Sequence, residues 1–269
     1  MKLQFALVNG VKHEPWHGGS GTCPCCGSEL IAKCGDVKIH HWAHKSKREC
    51  DPWWENQTEW HRQWKDAFPK TWQEAILKDP KTGEKHIVDI RTDHGVVLEF
   101  QHSHIEPTEQ RSRELFYRNM IWFVDGTRLK YDYKRFLRGR PHFRSSGKKG
   151  IYLLSTLEEC FPSAWLGSAV PVILDFKGTE SITDIKDPRR SVYCLLPKQL
   201  GGDFIVLSMT QEFLVTTIVN GEWVTLINSI GEWQRALQHR LDLLQRQREN
   251  VAIGSLFRRS RSRYRRRPL

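Results

Sequence analysis

Two groups of residues in this 269-residue chain have types and spacings that could do chemistry. The first begins at "CPCCGSEL", which sets Cys23 and Cys26 at C-x-x-C spacing with Gly27 for the turn. It continues in "HHWAHKSKREC", which offers His40, His41, His44 and Cys50. A closed structural zinc site takes four thiolate or imidazole ligands from two close pairs, and this supply is sufficient. The first-choice set is Cys23, Cys26, His44 and Cys50, with His41 as substitute for His44. Cys25 and Cys34 are then spare. No water-activating glutamate stands beside a histidine as in H-E-x-x-H, so the expected role is structural. Buried thiols with surface histidines are the bland alternative.

The second group lies in "HIVDIRTDHGVVLEFQHSHI", residues 86–105, where Asp89, Glu99 and Gln101 interrupt a run of β-formers. A three-residue loop of Asp93, His94 and Gly95 gives the glycine the left-handed position that a bulged hairpin demands. Residue 92 then faces 96, 90 faces 98 and 89 faces 99. Val88, Ile90, Val96, Leu98 and Phe100 fall on one side; Asp89, Arg91, Glu99 and Gln101 fall on the other. A two-residue turn would mix acids with Leu98 and Phe100 on each face, so the apolar pattern selects the register. Opposed carboxylates lie within about 5 Å at Cβ and repel unless something positive intervenes. A salt bridge to Arg91 would suffice. The sharper expectation is Mg²⁺ or Mn²⁺ held by Asp89 and Glu99, able to bind a phosphate and activate water.

The elements that must position these residues follow from periodicity. Residues 53–67 read as a helix with Trp53, Trp60, Trp64 and Ala67 on one stripe, flanked by Glu59 and His61, with Lys65 a turn beyond His61. "TWQEAIL" (71–77) reads as a strand, the hairpin follows, then a helix over about 107–119 and the strand "MIWFVDG". This α-β-β-β-α-β order resembles the PD-(D/E)xK nuclease core, with glutamine at the position of the usual lysine. His61, Lys65, His86 and His102 are the groups at hand to orient or deprotonate water.

The series "CPCC", "HHWAH", "TEWHRQWK" and "VDIRT…LEFQHS" is similar to the CoiA-like competence proteins over roughly residues 20–126. Trp42 stands where that family has Phe, and Gln57 stands where its helix acid is expected. The resemblance implies a zinc-containing, metal-dependent nuclease acting on DNA, with Asp89, Glu99, Gln101, Glu59, His61 and Lys65 as catalytic candidates, and a cytoplasmic location is the expectation for the chain.

The expected organisation is α/β (α+β). A zinc module (1–52) precedes a nuclease-like core (53–132), an α+β region (133–250) and an Arg-rich tail (251–269). "YKRFLRGRPHFRSSGKKG" (133–150) reads as a linker or basic loop, and "VPVILDF", "SVYCLLP", "FIVLSMT" and "FLVTTIV" read as strands. A long amphipathic helix over 227–251 closes the region, which offers no catalytic constellation but could recruit a protein partner. Cys160 and Cys194 read as packed thiols.

The formal charge is +11, of which seven arginines lie in 257–269; setting them aside leaves +4 on the remainder. That balance points to a polyanion, nucleic acid before membrane. Arg91, Arg111, Arg113, Arg118, Arg258, Arg259 and Arg261 are the expected phosphate contacts. No run reaches the roughly 18–20 apolar residues of a membrane span, and the start of the chain does not read as a secretory signal. A non-cleaving nucleic-acid-binding or adaptor protein is the alternative to a nuclease.

Overall fold

The computed structural model describes residues 2–46, 50–55, 57–200 and 202–264, with only the backbone described at 198 and 250–264. The zinc-module residues form a five-stranded antiparallel sheet: β1 (Ala6–Val8), β2 (Val11–His13), β3 (Ser20–Thr22), β4 (Glu29–Lys33) and β5 (His41–His44), ordered β2-β1-β3-β4-β5.

Next come helix α1 (Glu59–Asp66), β6 (Gln73–Lys78), β7 (Lys85–Arg91), β8 (Val97–Gln101), helix α2 (Pro107–Tyr117) and β9 (Met120–Asp125). This is the expected α-β-β-β-α-β order. Strands β6, β7 and β8 run antiparallel in sequence, and β9 returns parallel to β8. Helix α1 is shorter than expected. Thr58 caps it, accepting from the His61 N–H, and satisfies a donor that would otherwise be orphaned. Trp53 therefore leaves the helical stripe; its ring stacks on His86, centroids 3.4 Å apart.

Beyond β9 lie helix α3 (Asp132–Gly139), β10 (Arg144–Ser145), β11 (Ile151–Leu154), β12 (Val172–Asp175), β13 (Ser191–Leu200), β14 (Asp203–Thr210), helix α4 (Gln211–Val219) and helix α5 (Trp223–Tyr264). Strand β12 pairs parallel with β9, so one nine-stranded sheet, β10-β11-β14-β13-β12-β9-β8-β7-β6, takes in both 53–132 and 133–250. The stretch 133–150, expected as a linker or basic loop, takes in most of α3 and all of β10. "FLVTTIV", expected as a strand, is α4, because Thr210 caps the Phe213 N–H and tertiary packing outweighs β-branched composition. Helix α5 carries the chain into the expected tail. Arg258, Arg259 and Arg261 fall in its backbone, and their side chains lie outside the described ones.

The sheet has an apolar layer on each face. Trp60, Trp64, Phe68, Ile90, Leu98, Phe100 and Phe123 belong to one, with α4 and the start of α5. Val88, Val97, Tyr117, Trp122, Leu174 and Val206 belong to the other. Val88 thus departs from the face expected for it. The departure sits beside Glu74, whose φ of 48° breaks the alternation of β6 opposite β7. Cys160 and Cys194 are fully buried in these layers. Among the described residues no single helix is long and apolar enough to cross a membrane.

Candidate functional site

The turn between β3 and β4, the end of β5 and the chain after it bring Cys23, Cys26, His44 and Cys50 together. One ligand atom of each lies within 4.8 Å of the others. Cys26 Sγ is 3.3 Å from His44 Nε2, and Cys23 Sγ is 3.7 Å from Cys50 Sγ. Gly27, at φ 72°, makes the turn, and its N–H donates to the Cys23 carbonyl. Hydrogen bonding from Cys50 pulls the Cys23 thiol down to about 5, while Cys50 is pushed up by its sulfur neighbours. Crowded thiols of this kind cannot all ionise without a cation among them. Three sulfurs and one imidazole nitrogen are the donor set of structural zinc, and the residues fit that ion. His41 is not part of the cluster: its Nδ1 is 2.8 Å from the Ile39 carbonyl oxygen.

The hairpin has the expected register, with Ile90 opposite Leu98 and Arg91 opposite Val97. Gly95 takes φ 78°, and the Thr92 N–H donates to the Val96 carbonyl. Beyond Ile90 and Leu98 the two strands part. Asp89 fills the gap, its Oδ2 accepting from the Phe100 N–H at 3.0 Å. That puts the Asp89 carboxylate against the residue next to Glu99, and both acids are buried. Burial and the Asp89 charge push the Glu99 carboxyl well above the usual carboxylate range. Asp89 goes the other way: burial opposes its ionisation, but the His61 and Lys65 charges hold its carboxyl low.

The charges that answer these acids come from helices. His61 Nε2 is 2.7 Å from Asp89 Oδ1. Lys65 Nζ is 3.9 Å from the same oxygen and 3.1 Å from Glu74 Oε1. Arg113 on α2 donates to Glu99 Oε2 at 3.0 Å, and also to Glu109 and the Trp53 carbonyl. Among the described residues, Glu99 Oε1 and His61 Nδ1 find no hydrogen-bond partner, and both are buried. Among the described residues, only the cysteine cluster brings three or more metal-binding donors within one coordination sphere. The carboxylate pair lacks a third.

The remaining candidates separate from this centre. Glu59 is exposed and accepts only from Gln63 Nε2 within α1. Gln101 turns its amide to the Ser103 carbonyl and hydroxyl. Arg91, Arg111 and Arg118 are exposed. Arg113 is a buried partner of Glu99, not a solvent-facing phosphate contact. Leu115 is 75 % exposed, while the buried face of α2 carries Gln110, Arg113, Glu114 and Tyr117.

Two acids escaped the sequence reading. Glu74 is fully buried; it accepts from the backbone N–H groups of Gln4 and Phe5, from Gln57 Nε2 and from Lys65 Nζ. Asp51 accepts from the Trp53 and Ile87 N–H groups and pairs with His86 Nδ1 at 2.9 Å. Both could have been suspected. Glu74 alternates with Trp72 and Ile76 on an apolar strand face, and Asp51 adjoins a ligand cysteine.

Against this geometry, residues 17–52 match the family model described as Competence protein CoiA, N-terminal domain. The chain is CoiA-like over those residues, which take in Cys23, Cys26, His44 and Cys50. Neither a curated protein nor a solved structure matches it.

Proposed function

We propose that this protein is a metal-dependent DNA nuclease of the CoiA-like type, hydrolysing phosphodiesters with Asp89 and Glu99 in a PD-(D/E)xK-type core. One observation carries the reading. Asp89 and Glu99 are both buried where β7 and β8 part, with the Lys65 and His61 of one helix on the first of them. A hard divalent cation prefers oxygen ligands, and the partnerless Glu99 Oε1 beside Asp89 is an oxygen of that kind. Mg²⁺ or Mn²⁺ held by Asp89 and Glu99 would polarise the scissile phosphate and lower the pKa of an attacking water.

The chain's own groups have separate duties. Arg113 fixes Glu99 Oε2 and so orients its free oxygen. His61 and Lys65 hold Asp89 ionised and are the groups within reach to move a proton beside it. Gln101 is spent on Ser103, so the proton duty falls to α1. Zinc in the Cys23, Cys26, His44 and Cys50 cluster is structural, and the substrate setting is incoming or foreign DNA in the cytoplasm. Glu59, exposed on α1, is left without a catalytic duty.

The test is cleavage of single-stranded, double-stranded and branched DNA by the full chain with Mg²⁺ or Mn²⁺. Asp89→Asn and Glu99→Gln each abolish cleavage while zinc content and fold are kept. A second reading rests on a different observation: Glu99 Oε2 and Asp89 Oδ1 are already matched by Arg113 and His61, as in a non-cleaving nucleic-acid-binding or adaptor protein. DNA binding with no metal-dependent cleavage in the unaltered chain would select it.

A further inference from the structure

Of the arginines singled out in the sequence around α2, Arg113 is buried on Glu99, and Arg111 and Arg118 are exposed. The C-terminal half gathers a larger basic group. A cleft of about 560 Å³ opens where β12 ends and α4 begins, and Arg140, Lys177, Lys186, Arg189 and Arg190 line it. Asp175, Asp187 and Glu212 are the acids on its walls.

Two of those acids are already engaged. Asp187 pairs with Arg189, which also reaches Glu180. Asp175 accepts from the indole N–H groups of Trp60 and Trp64 at 2.9 Å and from the Lys177 N–H at 2.8 Å. Among the described residues, Arg140, Lys177, Lys186 and Arg190 have no carboxylate within ion-pair distance, and three of them are exposed. Glu212 is the acid that competes for them. The fields of Lys177 and Arg190 help to hold its carboxyl low, after hydrogen bonds from its own N–H and from Thr210. Ile185, 80 % exposed at the rim, adds an apolar surface that a charged pocket for a free small anion would not need.

The cleft also lies on a line toward the proposed active site. Asp175 stands opposite Asp125 across the parallel pair β12·β9, and Asp125 Oδ2 holds His102 Nδ1 at 2.7 Å. His102 is the third residue after Glu99. Neighbouring strands are about 4.8 Å apart, so the row Asp175, Asp125, His102 spans only a few strand widths at the carboxyl ends of β12, β9 and β8. Ligands of open α/β sheets commonly lie outside such strand ends.

We infer that this cleft binds the sugar-phosphate backbone of a nucleic-acid strand, with Arg140, Lys177, Lys186 and Arg190 as phosphate contacts and Glu212 as a charge that weakens the grip. The inference rests on the nucleic-acid part of the proposed function and not on cleavage. Its test is therefore equilibrium binding without divalent cation.

Anisotropy of a fluorescent single-stranded oligonucleotide is measured against salt for the full chain. Lys177→Ala/Arg190→Ala weakens binding by about tenfold and flattens the slope of log K against log salt by about 1.4, at roughly 0.7 per cation removed. Arg111→Ala/Arg118→Ala removes the same charge from α2 and its C-terminal cap and leaves both quantities near the unaltered values. Glu212→Gln tightens binding two- to threefold, a gain that damaged folding cannot produce. Equal losses from the two arginine- and lysine-depleted variants would reduce the effect to net charge and overturn the assignment. So would an unchanged affinity in Lys177→Ala/Arg190→Ala together with no gain in Glu212→Gln. Failure of DNA cleavage with this binding pattern intact would count against the nuclease reading alone.

Discussion

The cysteine cluster and the carboxylate pair both gather anionic donors from separate strands, but they answer the resulting repulsion differently. Cys23, Cys26, His44 and Cys50 turn one donor atom each toward the others, all within 4.8 Å. Around Asp89 and Glu99 the chain supplies its own cations, from His61, Lys65 and Arg113. Three sulfurs and an imidazole closing on one point define a metal position by themselves. A carboxylate pair interleaved with basic side chains defines a balance of charge, in which one partnerless oxygen marks where an ion could enter.

Removing one donor tests the first half of that contrast. Cys26→Ser drops zinc content from one equivalent to none, measured by elemental analysis. Because the free energy of structural zinc binding, about 10–16 kcal/mol in small zinc modules, is folding free energy, residues 2–46 lose protection from hydrogen exchange. Retained zinc and protection would show that the cluster is only packed thiols.

In the second half, Lys65 is the largest lever. Lys65→Met strands Glu74 and Asp89, and breaking a buried pair on one side costs about 3–5 kcal/mol, read in urea unfolding. Lys65→Met/Glu74→Leu recovers part of the loss, since it removes the unpaired carboxylate but takes the acceptor from the Gln4 and Phe5 N–H groups. No recovery would mean that the pair does not carry the effect.

His86 gives a smaller, pH-dependent signal. Burial works against its protonation, but hydrogen bonds to Asp51 and Glu84 win and raise its pKa above 6.5. A raised folded-state pKa means that the folded chain holds the proton longer than the unfolded one. The stabilisation is complete below pH 6.5 and is lost as pH rises through the folded value. Melting temperature therefore declines over that window in the unaltered chain and declines less in His86→Phe. Parallel curves would remove His86 from the account.

The smallest effect belongs to His41→Ala, which leaves zinc stoichiometry at one, because its ring serves the Ile39 carbonyl. A lost equivalent would redraw the ligand set.

Legibility in the sequence followed the same division. Cys23 and Cys26 are bound by local spacing, and Cys50 and His44 were the nearest compatible partners, so short-range geometry was enough. The hairpin register was readable because one apolar face forbids a slip and Gly95 suits only one turn. What the pattern could not give was the direction of helix faces. Arg113 reads as a solvent cation, and only the packing of α2 on Trp122, with the guanidinium over its ring, turns it to Glu99. Helix α4 was hidden for a related reason: its run of Val, Thr and Ile is strand-like locally, and the Thr210 cap with the buried Leu214 and Ile218 decides otherwise.

Glu74 ties the two sheets into one thermodynamic unit. A single carboxylate group grips the main chain of the amino-terminal sheet through Gln4 and Phe5 and, by way of Lys65, bears on Asp89. Linkage is reciprocal, so whatever loosens the chain at Gln4 and Phe5 shifts the charge balance around Lys65 and Asp89, and a change at Asp89 is felt in return at the amino-terminal segment.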